Sequence, residues 1–352
     1  MVAMTATETH HPFDSLDRSS KTFERMAEPF RSELKLHCYR MMGSLHEAED
    51  LVQDTFLRAW RSFASFEGRG SFRGWLYQIA TNACLNAIAS RKYRQRFLPD
   101  LRFPASAQLP DGTPANDVEW LEPYPDSDMA GILDETQNPE AHYAAREAVQ
   151  LAFVAAIQQL PPRQRAALLL CDVLGWGVAE AATLLGGSTA SINSVLQRAR
   201  ATMAKSHRDD GSSTVSTPGP AQQELLKRYL NAWEELDIDK FVALLKEDAT
   251  YTMPPLGQWY VGRDSIRTFF EWAWKDYGGY RLLPVAANGQ PAFAAYFRSR
   301  AELDAPLAAH SIHVLTLAES GVSALTLFVR PDAPRIFRAF GLPLTIADDI
   351  SH

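Results

Sequence analysis

Cysteine is scarce: Cys38, Cys84 and Cys171 are the only three in 352 residues. They lie far apart with no C-x-x-C pair, so neither a disulfide framework nor a zinc ribbon can be read, and no metal is expected. Also missing is any run approaching the ~18 apolar residues of a membrane span. The first 30 residues carry His10, His11 and several acids where a signal peptide would have a basic and then an apolar stretch. A cytoplasmic protein without membrane contact is expected. No Walker loop, H-E-x-x-H or G-x-S-x-G occurs, so the chain carries no signature of catalysis and calls for no cofactor. Binding is the expected business.

Positive charge is also in short supply, with 35 Lys and Arg against 42 Asp and Glu for a net −7. A protein that neutralised duplex DNA on its own would want a continuous basic surface. The deficit is uneven, however. Residues 1–20 sum to −2, 21–96 to +5, 97–144 to −9, 145–208 to +4 and 209–352 to −5. Two basic blocks therefore flank an acidic connector, and DNA contact is expected to need help from a partner.

Within 21–96 the apolar spacing is helical. Leu51, Val52, Thr55, Phe56 and Ala59 make one stripe, opposite Glu47, Asp50, Asp54, Arg58 and Arg61. Gly68, Gly70 and Ser71 interrupt the pattern, and Ser71 is placed to cap a helix from Phe72 to about Lys92. Residues 97–144 hold seven prolines and ten acids against the single base Arg102, which reads as a linker. Its apolar cluster Trp120, Leu121, Pro123 and Tyr124 is expected to dock on something. In 145–208, Pro161 and Pro162 restart a helix, and Gly186-Gly187-Ser188 separates a short helix (178–185) from a longer one (189–205). That pattern is a helix-turn-helix. On the longer helix Ile192, Val195, Leu196 and Ala199 face the core. Residues 209–220 read as a flexible linker, and 1–20 as a disordered N-terminus. From 221 to 345 two helices, a strand and an amphipathic helix (263–274) precede four alternating runs, with Asn288-Gly289 where a hairpin turn belongs. This last part is α+β.

The segments A-E-D-L-V-Q-D-T-F-L-R-A-W (48–60) and G-S-F-R-G-W-L-Y-Q-I-A-T-N-A-C-L-N (70–86) together resemble region two of the sigma-70 family, of the extracytoplasmic-function (ECF) type. The resemblance implies that Asp50, Leu51, Gln53, Asp54, Leu57 and Arg58 bind the clamp of core RNA polymerase. It implies too that Phe63, Phe66, Arg69, Ser71, Trp75, Asn82, Asn86, Arg91, Lys92 and Arg94 melt and read the minus-10 element. Aromatic stacking plus a basic track is the chemistry that holds single strands, and Tyr77 would join it. L-P-P-R-Q-R-A-A-L-L-L-C-D-V-L-G-W (160–176) and the helix-turn-helix resemble region four, which contacts the polymerase flap and the minus-35 element. The reading residues would be Thr189, Ala190, Ser191, Asn193, Ser194, Gln197, Arg198 and Arg200.

Residues 220–345, with F-R-A-F-G-L-P at 337–343, resemble the cone-shaped SnoaL-like (NTF2-like) fold. Such a domain is appended to actinobacterial sigma factors of the sigma-G and sigma-J types, and W-L-E-P at 120–123 fits the sigma-G side. Trp233, Tyr251, Met253, Trp259, Phe269, Trp272 and His313 would line a pocket for a small apolar ligand. Asp248, Tyr251, Arg263 and His313 are the candidates for an enzyme-like acid-base set. The expected molecule is a multidomain promoter-specificity factor, two all-α sigma domains followed by an α+β cone, not an enzyme, and autoregulated by the cone. The alternatives are a SnoaL-like cyclase or hydrolase with a regulatory helical half, and a stand-alone ligand-sensing regulator. The acidity of the connector matches that of a nucleic-acid strand, and its family counterpart threads towards the polymerase cleft.

Overall fold

The computed structural model describes residues 20–66, 71–90, 95–110, 118–129, 132, 147–206, 219–329 and 331–347. Residues 1–19, most of the 209–220 linker and much of the connector lie outside them. The chain divides into two units. One holds the first four helices, and the other holds Gly43–Leu45 with the described residues from 95 onward.

The first unit is built from α1 (Ser20–Ala27), α2 (Arg31–Met42), α3 (Leu45–Ser62) and α4 (Phe72–Ala89). The stripe on α3 buries Val52, Thr55 and Ala59, while Leu51 and Phe56 are half-buried. Ser71 caps α4, its Oγ accepting from the Gly74 N–H at 2.9 Å. His37 is buried against Thr81 Oγ1 at 2.9 Å and edge-on to Tyr77. Burial, with Arg40 nearby, lowers its pKa to about 3.

In the second unit the connector contributes a two-residue parallel pair, β1 (Arg96–Phe97) with β2 (Glu119–Trp120), and the one-turn helix α5 (Pro99–Arg102). Next come α6 (Leu151–Gln158) and α7 (Pro162–Leu168), the latter running into a π-helical turn at Leu169–Val173. The helix-turn-helix is α8 (Val178–Leu185) and α9 (Thr189–Ser206). Gly186, at φ 63°, takes the left-handed position that ends α8, and the Gly187 N–H reaches back to the Ala182 carbonyl. At the entry to α9, Ser188 and Ser191 bond reciprocally, each hydroxyl accepting from the other's N–H at 3.1 Å.

The α+β part begins with α10 (Pro220–Glu234) and α11 (Ile238–Ala243). Its sheet runs β4-β3-β8-β7-β6-β5, where β3 is Leu245–Thr252, β4 Trp259–Val261, β5 Tyr277–Ala287, β6 Gln290–Ser299, β7 Leu307–Ala318 and β8 Gly321–Val329. Neighbours are antiparallel except β3 and β8, whose parallel pairing is tied by Thr252 Oγ1 to Thr326 Oγ1 at 3.0 Å. Helix α12 (Arg263–Ala273), α13 (Ala333–Ala339) and the short β9 (Thr345–Ile346), paired with β7, complete it. The sequence reads residues 238–245 as helix, whereas helix α11 ends at Ala243 and β3 begins at Leu245, and the reading lacks β4, α13 and β9. Tyr229, Trp233, Phe241, Tyr251, Phe269, Phe270 and Trp274 fill the core between helices and sheet. Among the described residues no helix is long and apolar enough to cross a membrane, and no group of three His, Cys, Asp or Glu could hold a metal.

Candidate nucleic-acid interface

On α3 the side opposite the buried stripe carries Asp50, Gln53, Leu57 and Arg58, all exposed, with Leu51 and Asp54 half-buried beside them. Arg58 Nη2 meets Asp54 Oδ2 at 2.7 Å, one helical turn apart. Leu57 is 56% exposed and Trp60 39%. Residues three apart share a helix face, so this side offers two apolar contacts among its charges. The sequence reading names Leu57 and misses Trp60, whose only signal is that spacing.

The aromatic residues expected to stack melted bases behave differently from one another. Phe63 and Phe66 are buried, and so is Phe72. They interlock with Phe23 of α1 and with Trp75, the Phe66 and Trp75 rings being 4.8 Å apart. Trp75 itself is only half-buried. Phe63 packs against Phe23 and Phe72, and Phe66 against Phe72 and Trp75, so both rings lie inside this aromatic cluster rather than on the surface. Tyr77 is likewise withdrawn. Its Oη donates to Glu33 at 3.1 Å, Arg73 lies over its ring, and burial together with the Glu33 carboxylate pushes its pKa up. Asn82 and Asn86 are exposed one turn apart on α4, and Ser71 is exposed but serves as the cap. Arg69, Arg91, Lys92 and Arg94 lie outside the described residues.

Helix α9 separates its two faces as the periodicity predicts. Ile192, Leu196 and Ala199 are buried, and Val195 half-buried. Thr189, Ala190, Ser191, Asn193, Ser194, Gln197, Arg198 and Arg200 are exposed. Not all of them are free to contact a base. Ser191 Oγ also donates to the Ser188 carbonyl at 2.7 Å, Ser194 Oγ donates to the Ala190 carbonyl, and Arg200 is held by Asp172. Asn193 and Gln197 present amides, the chemistry that reads adenine edges in a major groove.

The α+β domain holds the connector and α6 through one hairpin tip. Asn288 and Gly289 both adopt positive φ, 56° and 67°, as a tight two-residue turn requires. Asn288 is fully buried, its Oδ1 accepting from the Tyr124 N–H at 2.8 Å and its Nδ2 donating to the Val149 carbonyl at 2.8 Å. Gln290 Oε1 accepts from the Leu151 N–H at the start of α6 at 3.0 Å. Gly289 N–H donates to Asp126, and Arg335 pairs with Glu122 at 2.7 Å. The opposite edge of the sheet is also covered, since Trp259 Nε1 donates to the Phe103 carbonyl and its own carbonyl accepts from Ser106. The described part of the connector is thus packed along the domain, and Glu122 is engaged rather than free.

Of the expected pocket residues, Trp233, Tyr251, Met253, Phe269 and His313 are buried in the core of the domain, Trp259 lies under the connector, and Trp272 is 42% exposed. Tyr229 and Tyr280 hydroxyls sit 2.9 and 3.2 Å from the two ring nitrogens of His313, and Ser311 Oγ is 2.9 Å from Nε2. Burial, with His310 beside it, holds His313 well below its ordinary pKa and therefore neutral. Asp248 lies on the surface with Lys246, and Arg263 donates to the Leu245 carbonyl, so the proposed acid-base set does not converge.

Comparison with known proteins agrees with this architecture. The sigma-70 region 2 family matches residues 26–94, sigma-70 region 4 matches 150–203 and the SnoaL-like domain matches 226–325. ECF RNA polymerase sigma factor SigG of Mycobacterium tuberculosis is 43% identical over 331 residues, 93% of this chain and 85% of that protein. SigJ of the same species is 30% identical over 64% of this chain and 62% of that protein. The crystal structure of M. tuberculosis SigJ superposes with a TM-score of 0.58 at 24% identity, over 91% of this chain and 99% of the other. That last likeness is one of fold. With both sigma regions and the SnoaL-like domain matched in order, and 43% identity to SigG over 93% of this chain's length, the chain belongs to the ECF RNA polymerase sigma factors.

Proposed function

We propose that this sigma factor grips core polymerase through the α3 face around Asp54 and Leu57, holds the melted minus-10 strand along α4 with Trp75, Asn82 and Asn86, and reads the minus-35 element with Asn193 and Gln197 of α9. The work belongs to the cytoplasm, where polymerase and promoter meet. The SnoaL-like domain regulates it by restraining region four.

The observation that carries the regulatory reading is the hairpin tip at Asn288–Gln290. It bonds the connector and the first turn of α6 at once, so region four is held by the C-terminal domain as well as by its own tether. A restrained region four is unfit for promoter spacing until the hairpin lets go. An apolar ligand would act only by different affinity for the held and released states.

Run-off transcription with purified core polymerase tests the reading. A chain truncated after Ser206 and the full-length Asn288→Gly variant should both transcribe more than the wild type. A drop with both would overturn inhibition and give the domain a positive role.

A further inference from the structure

Arg200 is expected from its place on α9 to contact the minus-35 DNA along with its exposed neighbours. Its geometry says otherwise. One edge of its guanidinium is engaged side-on by a single carboxylate, Nε to Asp172 Oδ2 at 2.8 Å and Nη2 to Asp172 Oδ1 at 2.6 Å. This is the bidentate fork that arginine makes with a carboxylate, and lysine cannot reproduce it. Asp172 lies within the π-helical turn Leu169–Val173 that ends α7. The turn is closed by the Leu174 N–H on the Leu169 carbonyl at 3.0 Å and the Trp176 N–H on Leu170 at 2.9 Å. A π-turn inserts a residue into a helix and rotates the side chains beyond the insertion. Here the rotated residue is the one that reaches α9.

The pair is placed where it can set the angle of the reading helix. Ala199, next to Arg200, is buried on the scaffold, and Gln197 and Asn193 lie one and two turns earlier on the exposed side. Rotation of α9 about its buried stripe would move those amides together, and the apolar grip near its middle comes from Ile192, Leu196 and Ala199. A two-point tie to the π-turn at the end of α7 resists such rotation.

We infer that Asp172 is a positioning residue for minus-35 recognition and that Arg200 is its strut, not a phosphate contact. The inference rests on the reading of α9 as the minus-35 helix.

The test uses full-length protein with core polymerase and promoter fragments, measuring affinity against salt and base preference at minus-35. Asp172→Ala and Arg200→Ala should weaken binding alike, by roughly fivefold, the scale of an exposed ion pair. The dependence on salt should not change, and both variants should blur base preference. Arg200→Lys should recover only part of the loss, and the exchange Asp172→Arg with Arg200→Asp should recover most of it. Thermal unfolding should shift little throughout, which separates positioning from a folding defect. The strut is overturned if Asp172→Ala binds as well as or better than the wild type while Arg200→Ala lowers the salt slope by about one, the mark of a lost phosphate contact. Gln197→Ala in the same assay tests the underlying reading separately. Unchanged base preference there would remove α9 as the reading helix, whatever the pair does.

Discussion

Replacing Asn288 by glycine removes the amide of the hairpin tip while keeping a residue that tolerates the φ of 56° found there. Two buried groups lose their partners, the Tyr124 N–H and the Val149 carbonyl, each bonded at 2.8 Å. An orphaned buried polar group costs about 1–3 kcal/mol. The bond from the Asn288 N–H to the Tyr124 carbonyl is backbone and survives, as do the Gln290 bonds to α6 and the sheet. The attachment should therefore weaken by roughly 2–6 kcal/mol without coming apart. At 1.4 kcal/mol per tenfold, local opening becomes roughly thirty to twenty thousand times more frequent. The Tyr124 and Leu151 amides report this directly, because their hydrogens are held by Asn288 and Gln290. Hydrogen exchange at Tyr124 should accelerate by that factor, with Leu151 following to a smaller extent. Asn288→Asp keeps the acceptor for Tyr124 but turns a carboxylate towards the Val149 carbonyl, so it should spare Tyr124 and expose the α6 side. Equal Tyr124 protection in wild type and Asn288→Gly would refute the reasoning.

Reversing Asp54 to Arg should abolish capture by core polymerase in a pull-down. Its cost to stability should stay within about 0.5 kcal/mol, because the Asp54–Arg58 pair is a solvent-facing helical contact; undiminished capture would remove α3 as the clamp contact. His37 gives the first unit a dependence on pH. Folded, it stays neutral down to about pH 3, whereas unfolded it takes a proton near 6.5, so the unfolded chain binds more protons between those values. Stability is full above 6.5 and falls as pH drops, by about 2 kcal/mol at pH 5. Urea melts at pH 7 and 5 should show that loss, and His37→Asn should remove most of it.

Much of this was legible along the chain because it is local. Gly186 and Ser188 mark the turn of the helix-turn-helix from composition alone, and the stripe of Ile192, Leu196 and Ala199 divides α9 into buried and exposed sides. Ser71 announces the start of α4 by its capping chemistry. What stayed hidden depends on partners far away in sequence. Asn288-Gly289 reads as a hairpin turn, and nothing near it says that its amide reaches Tyr124 and Val149. Phe63 looks like a stacking platform until Phe23 arrives from α1 and Phe72 from α4. The aromatic residues of the C-terminal domain read equally as pocket lining or as core, and packing alone decides. Strand β4 is three residues long, too short for any alternation to show.

The pairing of β3 with β8 has a consequence for how the protein comes into being. Its two strands are separated by most of the domain, so the sheet cannot close until the ribosome has added residues up to Val329. The helix-turn-helix is finished at Ser206. At about 5–20 residues per second, elongation leaves an interval on the order of 10 s in which a nascent chain possesses its helix-turn-helix and lacks the closed sheet whose hairpin bonds the start of α6. Codon usage across 207–329 would lengthen or shorten that interval, and with it the time in which α6 stands without that contact.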